Sequence, residues 1–246
     1  MSAPDRIGNL DLSLFDHVVA QTTIGDRRSL LALQSGVRDH LGSFSWLEIG
    51  SYLGGTLQPL VVDPQCRSII SIDPRPQLVA DDRAGLEVWD YGVENTTSGM
   101  LDGLSRIPGA DVTKIKPIER GTADIDPGQI ARPDFCFVDG EHTRAAALRD
   151  ARFCRDVLRG RGIIAFHDFQ IIQRAVEEFL RHLDRPFVCY LLRTSVFVVE
   201  LGGVPSLLTN DAVRSQLRGK SIAWRVAGRL GLSAAVVSAH RRLRHR

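Results

Sequence analysis

Four apolar runs in this chain each close on an acid: FSWLEI (44–49) carries Glu48, SIISID (68–73) ends in Asp73, DFCFVD (134–139) in Asp139 and RGIIAFHD (161–168) in Asp168. A single acid after an apolar run is unremarkable, because acids favour loops and helix starts. Four together, each at the end of a strand-like run, would line one rim of a sheet, which is where open α/β sheets bind ligands. After the first acid comes a turn containing Gly50, Gly54 and Gly55. Glycines there let the backbone approach a ligand closely. A dinucleotide pyrophosphate is usually announced by G-x-G-x-x-G with an acid about 20 residues further on for the ribose. Here the spacing is G-x-x-x-G-G, and Asp73 stands in the ribose position. The expectation is an adenosine ligand without phosphates. His142 follows Asp139 by three residues and precedes a helix-like segment. The positive end of that helix disfavours a protonated imidazole, so His142 is the candidate proton acceptor, a solvent-exposed loop histidine being the other reading. Nothing comparable supports His17, His40 or His182.

The elements that must position these residues follow from periodicity. Residues 11–41 carry apolar positions at helical spacing, GGTLQPLVV (54–62) begins a second helix, and residues 84–106 are mostly polar and read as helical. DVTKIKPIERG (111–121) adds a strand candidate. TRAAALRDARFCRDVLRG (143–160) is helical with Gly160 as its stop, residues 169–184 form another helix, and PFVCYLL and SVFVVEL look like a terminal strand pair. Strands alternating with helices give an α/β fold with a mostly parallel sheet covered on both faces. No fixed-period repeat or low-complexity linker divides the chain. The expected organisation is a helical segment over 1–43, a ligand-binding domain over 44–205 and a tail over 206–246.

Composition narrows the classes. Hydrophobic residues make up 43% and charged residues 24% of the 246 residues, as in ordinary globular chains. No run reaches the roughly 20 apolar residues a membrane-spanning helix needs, and the first residues lack a basic region followed by an apolar block. The four cysteines, Cys66, Cys136, Cys154 and Cys189, show no paired or metal-finger spacing, which suits a reducing cytoplasm. The net charge of +2 hides an asymmetry: residues 211–246 hold nine Lys or Arg against the single acid Asp211, leaving 22 basic and 28 acidic residues in the first 210. Such a body is a poor nucleic-acid binder. In the tail, Trp224, Val226, Leu230 and Val236 could share one helix face. A basic amphipathic helix can lie on an anionic surface, so peripheral contact at the inner membrane face is one expectation. Docking in a homo-oligomer and a solvated end are the others.

Taken together, LEIGSYLGGT, SIDPRP, RGTADI, DFCFVDGEHTRAAALRD and GIIAFHD resemble the class I S-adenosylmethionine-dependent methyltransferases. Within them the chain is most similar to the small-molecule and sugar O-methyltransferases whose fourth strand ends in V-D-G-x-H and whose fifth ends in H-D. The resemblance covers roughly residues 44 to 200. It implies a Rossmann-like, doubly wound, mostly parallel seven-stranded sheet with a terminal antiparallel strand. It also implies that Glu48, Gly50, Ser51 and Gly54 wrap the methionine part of S-adenosylmethionine, with Thr56 and Asp139 on the same wall. Asp73 would accept hydrogen bonds from the ribose hydroxyls, and Thr122, Ala123 and Asp124 would lie near the adenine. In the usual sheet order of this class the fourth and fifth strands are neighbours, about 4.8 Å apart, so Asp139 and Asp168 could share a Mg²⁺ or Mn²⁺ ion, with His167 as a third ligand. His167 should nonetheless point to the opposite face if its strand stays extended there. His142 would be the base that deprotonates a sugar or other small-molecule hydroxyl, on a free or lipid-linked acceptor. Two rivals remain at this point: a nicotinamide-dependent oxidoreductase, and a non-catalytic member of the fold serving as an assembly or membrane partner.

Overall fold

The computed structural model describes residues 1–82, 88–218 and 224–226. Its elements, in chain order, are α1 (Ala3–Gly8), α2 (Ile24–Leu41), β1 (Phe44–Ile49), α3 (Gln58–Val61), β2 (Cys66–Ile72), β3 (Leu78–Ala80), β4 (Val88–Asp90), α4 (Thr97–Ser105), β5 (Ile115–Ile118), β6 (Phe135–Val138), α5 (Arg144–Val157), β7 (Gly162–Phe166), α6 (Phe169–Arg181), β8 (Phe187–Leu191), β9 (Phe197–Leu201), α7 (Asp211–Ser215) and β10 (Trp224–Val226). The main sheet runs β10-β8-β9-β7-β6-β1-β2-β5, and β3 pairs with β4 in a separate hairpin. β5, β2, β1, β6 and β7 are parallel, while β9 is antiparallel to both β7 and β8. Without the three-residue edge strand β10, this is the expected seven-stranded sheet with its antiparallel strand.

Alternation along the central strands explains the layers. Phe44, Trp46, Phe135, Phe137, Ile163 and Ala165 join one core beneath α1, α2 and α3. The intervening Leu47, Ile49, Cys136, Val138, Ile164 and Phe166 join the other, beneath α5 and α6. A strand buried on both faces reads as a continuous apolar run, which is why these strands were legible. Trp46 stacks on Phe135 with ring centroids 4.1 Å apart. Strand order reverses between β1 and β6, paired in register from Trp46↔Phe135 to Ile49↔Val138. The glycine turn and Asp139 therefore leave the sheet side by side.

Several expectations need correction. Over 11–41 the helix is α2 alone, preceded by a short 3₁₀ turn at Leu12–Phe15; a capping box between Thr23 and Asp26 starts α2. Residues between those two elements are irregular, with bends at 16–18 and 22, and are held by the Gln58 side chain, which accepts from His17 N and Val18 N and donates to Val18 O. In 54–62 only α3 is helical, and among the described residues of 84–106 only α4, with β4 before it. Trp224–Val226 pairs antiparallel with β8, so Trp224 and Val226 sit in a strand and not on a helix. Leu230 and Val236 lie outside the described residues. The first part of the basic segment packs into the body: Leu207 and Val213 are fully buried in the core under α2. Among the described residues no helix is long and apolar enough to cross a membrane.

Candidate active site

At the rim of β1, the turn is built for close approach. Gly50 (φ +83°) adopts a left-handed conformation, and a Cβ there would stand 2.1 Å from the Asp139 carbonyl oxygen. Gly54 and Gly55 also face protein: their Cβ positions meet Leu104 and Met100 of the α4 region, and Ala20 and Val19. Glycine in this turn therefore serves the packing of protein segments as well as any ligand.

Glu48 lies below the turn, on the Trp46 face of β1, and is completely buried. It accepts from Trp46 Nε1 at 3.2 Å and from the Thr56 hydroxyl. Burial pushes its carboxyl from an ordinary 4.5 up to about 8, against those two hydrogen bonds and with help from the Asp139 and Asp73 charges. A buried acid beside two other carboxylates is relieved by a nearby cation, so this donor set fits a ligand carrying a sulfonium and an ammonium group. The folded chain holds the Glu48 proton more tightly than the unfolded chain does. The resulting stabilisation is full below about pH 4.5 and is lost as pH rises through about 8. Glu48→Gln is accordingly expected to lose less stability than the unaltered chain between about pH 5 and about pH 9. Urea unfolding at both pH values checks this, and equal losses would contradict it.

Asp73, at the end of β2, accepts from Tyr52 N at 2.9 Å and Arg75 N at 2.8 Å, which orients it beside the turn. Other predicted cofactor residues spend their hydroxyls inside the fold. Ser51 Oγ lies 2.6 Å from Ser71 Oγ, and Thr56 holds Glu48. Thr122 donates to Asp150 of α5 and accepts from Arg149 Nε at 3.2 Å. Burial pushes Asp150 up to about 6. Ala123 and Asp124 stay exposed in a 3₁₀ turn.

The structure brings His142, Asp139, Asp168 and His167 together and adds two acids that sequence reasoning missed. His142 is buried, with Nδ1 3.3 Å from Asp81 Oδ2. A carboxylate only accepts, so this contact favours a proton on Nδ1, and Nε2, itself buried, lies on the side of the two rim aspartates. There Nε2 is 3.4 Å from Asp168 Oδ2 and 3.8 Å from Asp139 Oδ1. Asp81 arrives on the β3–β4 hairpin, which forms a parallel bridge at Asp81↔His142 while Asp82 caps the α5 backbone at Arg144 N. Hairpin and histidine are locked together across 61 residues of chain.

His167 does take the opposite face, toward α2. Its Nδ1 is 2.9 Å from Asp139 Oδ1 and its Nε2 is 3.4 Å from Asp26 Oδ2. Burial opposes protonation, but Asp139, Asp26 and Asp168 outweigh it and raise His167 well above its ordinary value. Asp26 is itself fixed by Ser195 Oγ at 2.8 Å and by the Thr194 hydroxyl. His167 thus lies between two carboxylates, Asp139 and Asp26, which favour its protonated form, whereas a ligating nitrogen must be proton-free. Neither rim carboxylate caps a helix: Thr143 caps α5, and Asp168 (φ +46°) occupies the N-cap position of α6 without a side-chain capping hydrogen bond. Asp139 and Asp168 therefore remain as hard oxygen donors of the kind magnesium accepts, one or two carboxylates completed by water. Among the described residues no group of three or more His, Cys, Asp or Glu side chains is arranged to hold a metal ion.

Comparison with known proteins agrees with this fold. A family model described as "Methyltransferase domain" matches residues 47–169, half of the chain. No curated protein matches in sequence. Among solved structures, the S-adenosylhomocysteine-bound methyltransferase PaMTH1 of Podospora anserina is 14% identical with a TM-score of 0.52, over 82% of this chain and 88% of that one. An O-methyltransferase from Bacillus cereus in complex with S-adenosylhomocysteine is 10% identical with a TM-score of 0.51, over 81% and 90%. At such identities the likeness is one of fold. The sheet order, the acid-tipped strands and the matching family model lead to one conclusion: the chain belongs to the methyltransferase-domain family and is a class I S-adenosylmethionine-dependent methyltransferase.

Proposed function

We propose that this chain methylates a hydroxyl oxygen of a sugar or other small-molecule acceptor, with His142 as the base. The observation that carries this reading is the Asp81–His142 pair, buried behind the rim with Nε2 facing Asp139 and Asp168. S-adenosylmethionine, when bound, supplies a methyl group on a positively charged sulfur. Gly50 and Gly54 would leave backbone against its methionine part, Asp73 would meet its ribose, and Glu48 would stabilise its charge from below. The acceptor hydroxyl gives its proton to His142 Nε2 as the oxygen–methyl bond forms. Asp81 keeps the Nδ1 proton in place and stabilises the imidazolium, as the aspartate does in a Ser-His-Asp triad. Asp139 and Asp168 add negative charge on the Nε2 side. The cofactor would be left as a neutral sulfide, its sulfur–methyl bond broken as the oxygen–methyl bond forms. Transfer of labelled methyl to a panel of sugars, polyols and phenols tests the reading; label only on nitrogen or carbon would contradict it.

Divalent-cation assistance is the second reading, favoured by the convergence of Asp139 and Asp168 from adjacent strands without helix-capping duties. Such an ion would lower the pKa of the acceptor hydroxyl. If His142 suffices, turnover is expected to stay within about twofold after exhaustive chelation. Loss of turnover, restored by Mg²⁺ or Mn²⁺, would establish the second reading.

A further inference from the structure

One buried cation beside the cofactor cradle has no role in the chemistry above. The side chain of Arg75 is only 7% exposed, and its guanidinium joins three separate segments of chain. Nη1 donates to the Tyr52 carbonyl and to Asn95 Oδ1 at 3.3 Å. Nη2 donates to Ser51 Oγ at 3.0 Å and Ser71 Oγ at 3.4 Å, and lies 3.2 Å from Met100 Sδ. The same guanidinium is 3.4 Å from Asp73 Oδ2. The contacts close a ring. Asp73 accepts the backbone N–H groups of Tyr52 and Arg75, and Arg75 returns to the carbonyl of Tyr52. Tyr52 (φ +43°) and Arg75 (φ +56°) are both non-glycine residues in the left-handed region, a conformation that persists only where surrounding contacts impose it.

We propose that Arg75 is a positioning residue of the cofactor site: it fixes Asp73 against the Ser51–Tyr52 turn so that the carboxylate is aimed at the ribose hydroxyls. This rests on the reading of Asp73 as the ribose-binding acid. The Tyr52 and Arg75 amides already use one direction on each Asp73 oxygen, so the remaining lone pairs are available only in one orientation, and Arg75 sets it. Loss of the guanidinium frees the turn to slide relative to β2, and the contact that suffers is the one to ribose.

The test compares S-adenosylhomocysteine with its 2′-deoxy analogue by calorimetric titration of the full chain, alongside thermal melting. The unaltered chain is expected to prefer the ribose form by about tenfold or more, the value of a hydrogen bond to a charged group. In Arg75→Met the affinity for S-adenosylhomocysteine falls by about that factor, the analogue binds nearly as before, and the preference shrinks to about twofold. Arg75→Lys keeps the charge, but a single ammonium cannot span Tyr52 and Ser51, so it too shows the reduced preference. A folded Lys or Met variant with the full preference overturns the proposal. Failure of both variants to fold assigns Arg75 to the fold alone and also overturns it. Failure of the unaltered chain to bind S-adenosylhomocysteine defeats the underlying cofactor reading, a result distinguishable from the others and fatal to this proposal as well. Binding of both ligands with equal affinity by the unaltered chain removes the ribose role of Asp73 and the proposal with it.

Discussion

Replacing His142 by alanine is expected to lower turnover by roughly 10²–10⁴-fold while changing the affinity for S-adenosylhomocysteine by less than about twofold. The argument is geometric. Nε2 lies beside Asp168 and Asp139, where the proposed acceptor oxygen would approach, whereas the proposed cofactor cradle is formed by the turn after β1 and the end of β2. Removing the imidazole should therefore touch proton transfer and spare cofactor binding. Asp81→Asn is the companion change. The amide can donate where the carboxylate only accepted, so it favours the wrong tautomer of His142. Its loss should approach that of His142→Ala, with the chain still folded. Turnover is measured as labelled methyl transferred to the best acceptor of the panel, and cofactor affinity by calorimetry. Equal turnover in His142→Ala would remove the base assignment. A loss in His142→Ala with none in Asp81→Asn would leave the base and discard the orienting carboxylate.

Gly50→Ala should be the most damaging of the glycine changes. Its Cβ would meet backbone atoms that have nowhere to go: the Asp139 oxygen at 2.1 Å, the Asp139 carbonyl carbon at 2.6 Å and Gly140 Cα at 2.7 Å. The left-handed φ adds strain of order 1–3 kcal/mol, and overpacking against backbone adds about as much again. The sum, roughly 2–6 kcal/mol, is a large share of a typical domain's stability of about 5–15 kcal/mol. Gly42→Ala is the internal control, because Gly42 (φ +68°) has nothing within 4 Å of its Cβ position and bears the conformational strain alone. Urea unfolding of both should show Gly50→Ala as the weaker by about 1–3 kcal/mol. It should also lose S-adenosylhomocysteine binding, since β1 and β6 must separate where the proposed cofactor site lies. Equal midpoints for the two variants would mean that the rim yields freely.

What the sequence made visible was whatever repeated or ran continuously. β1, β2, β6 and β7 are buried on both faces, so each reads as an unbroken apolar run whose end is marked by an acid, and four such ends locate the rim. His142 was found because it stands three residues from Asp139, in the same strand-end segment. Asp81 could not be found that way: it lies in a short, half-exposed hairpin with no periodicity, and its meaning comes from a bridge to His142. Asp26 carries a readable signal, but only as the partner of Thr23 in a helix-capping box. Its second contact, to His167, depends on α2 packing over the ends of β6 and β7. Arg75 follows Asp73 by two residues and looks like any charged loop residue until the turn after β1 closes over it. The glycines misled in a useful way, since Gly54 and Gly55 answer to neighbouring side chains and the Val19–Ala20 backbone. The polar stretch 84–106 reads as helix for want of a stronger pattern, and the three-residue strand β4 takes part of it.

The measurement that bears most directly on the central claim is calorimetric titration of the folded chain with S-adenosylhomocysteine, alone and in competition with a nicotinamide dinucleotide. The account predicts saturable one-to-one binding that the dinucleotide does not displace. A folded chain that shows no binding, or that prefers the dinucleotide, would contradict it.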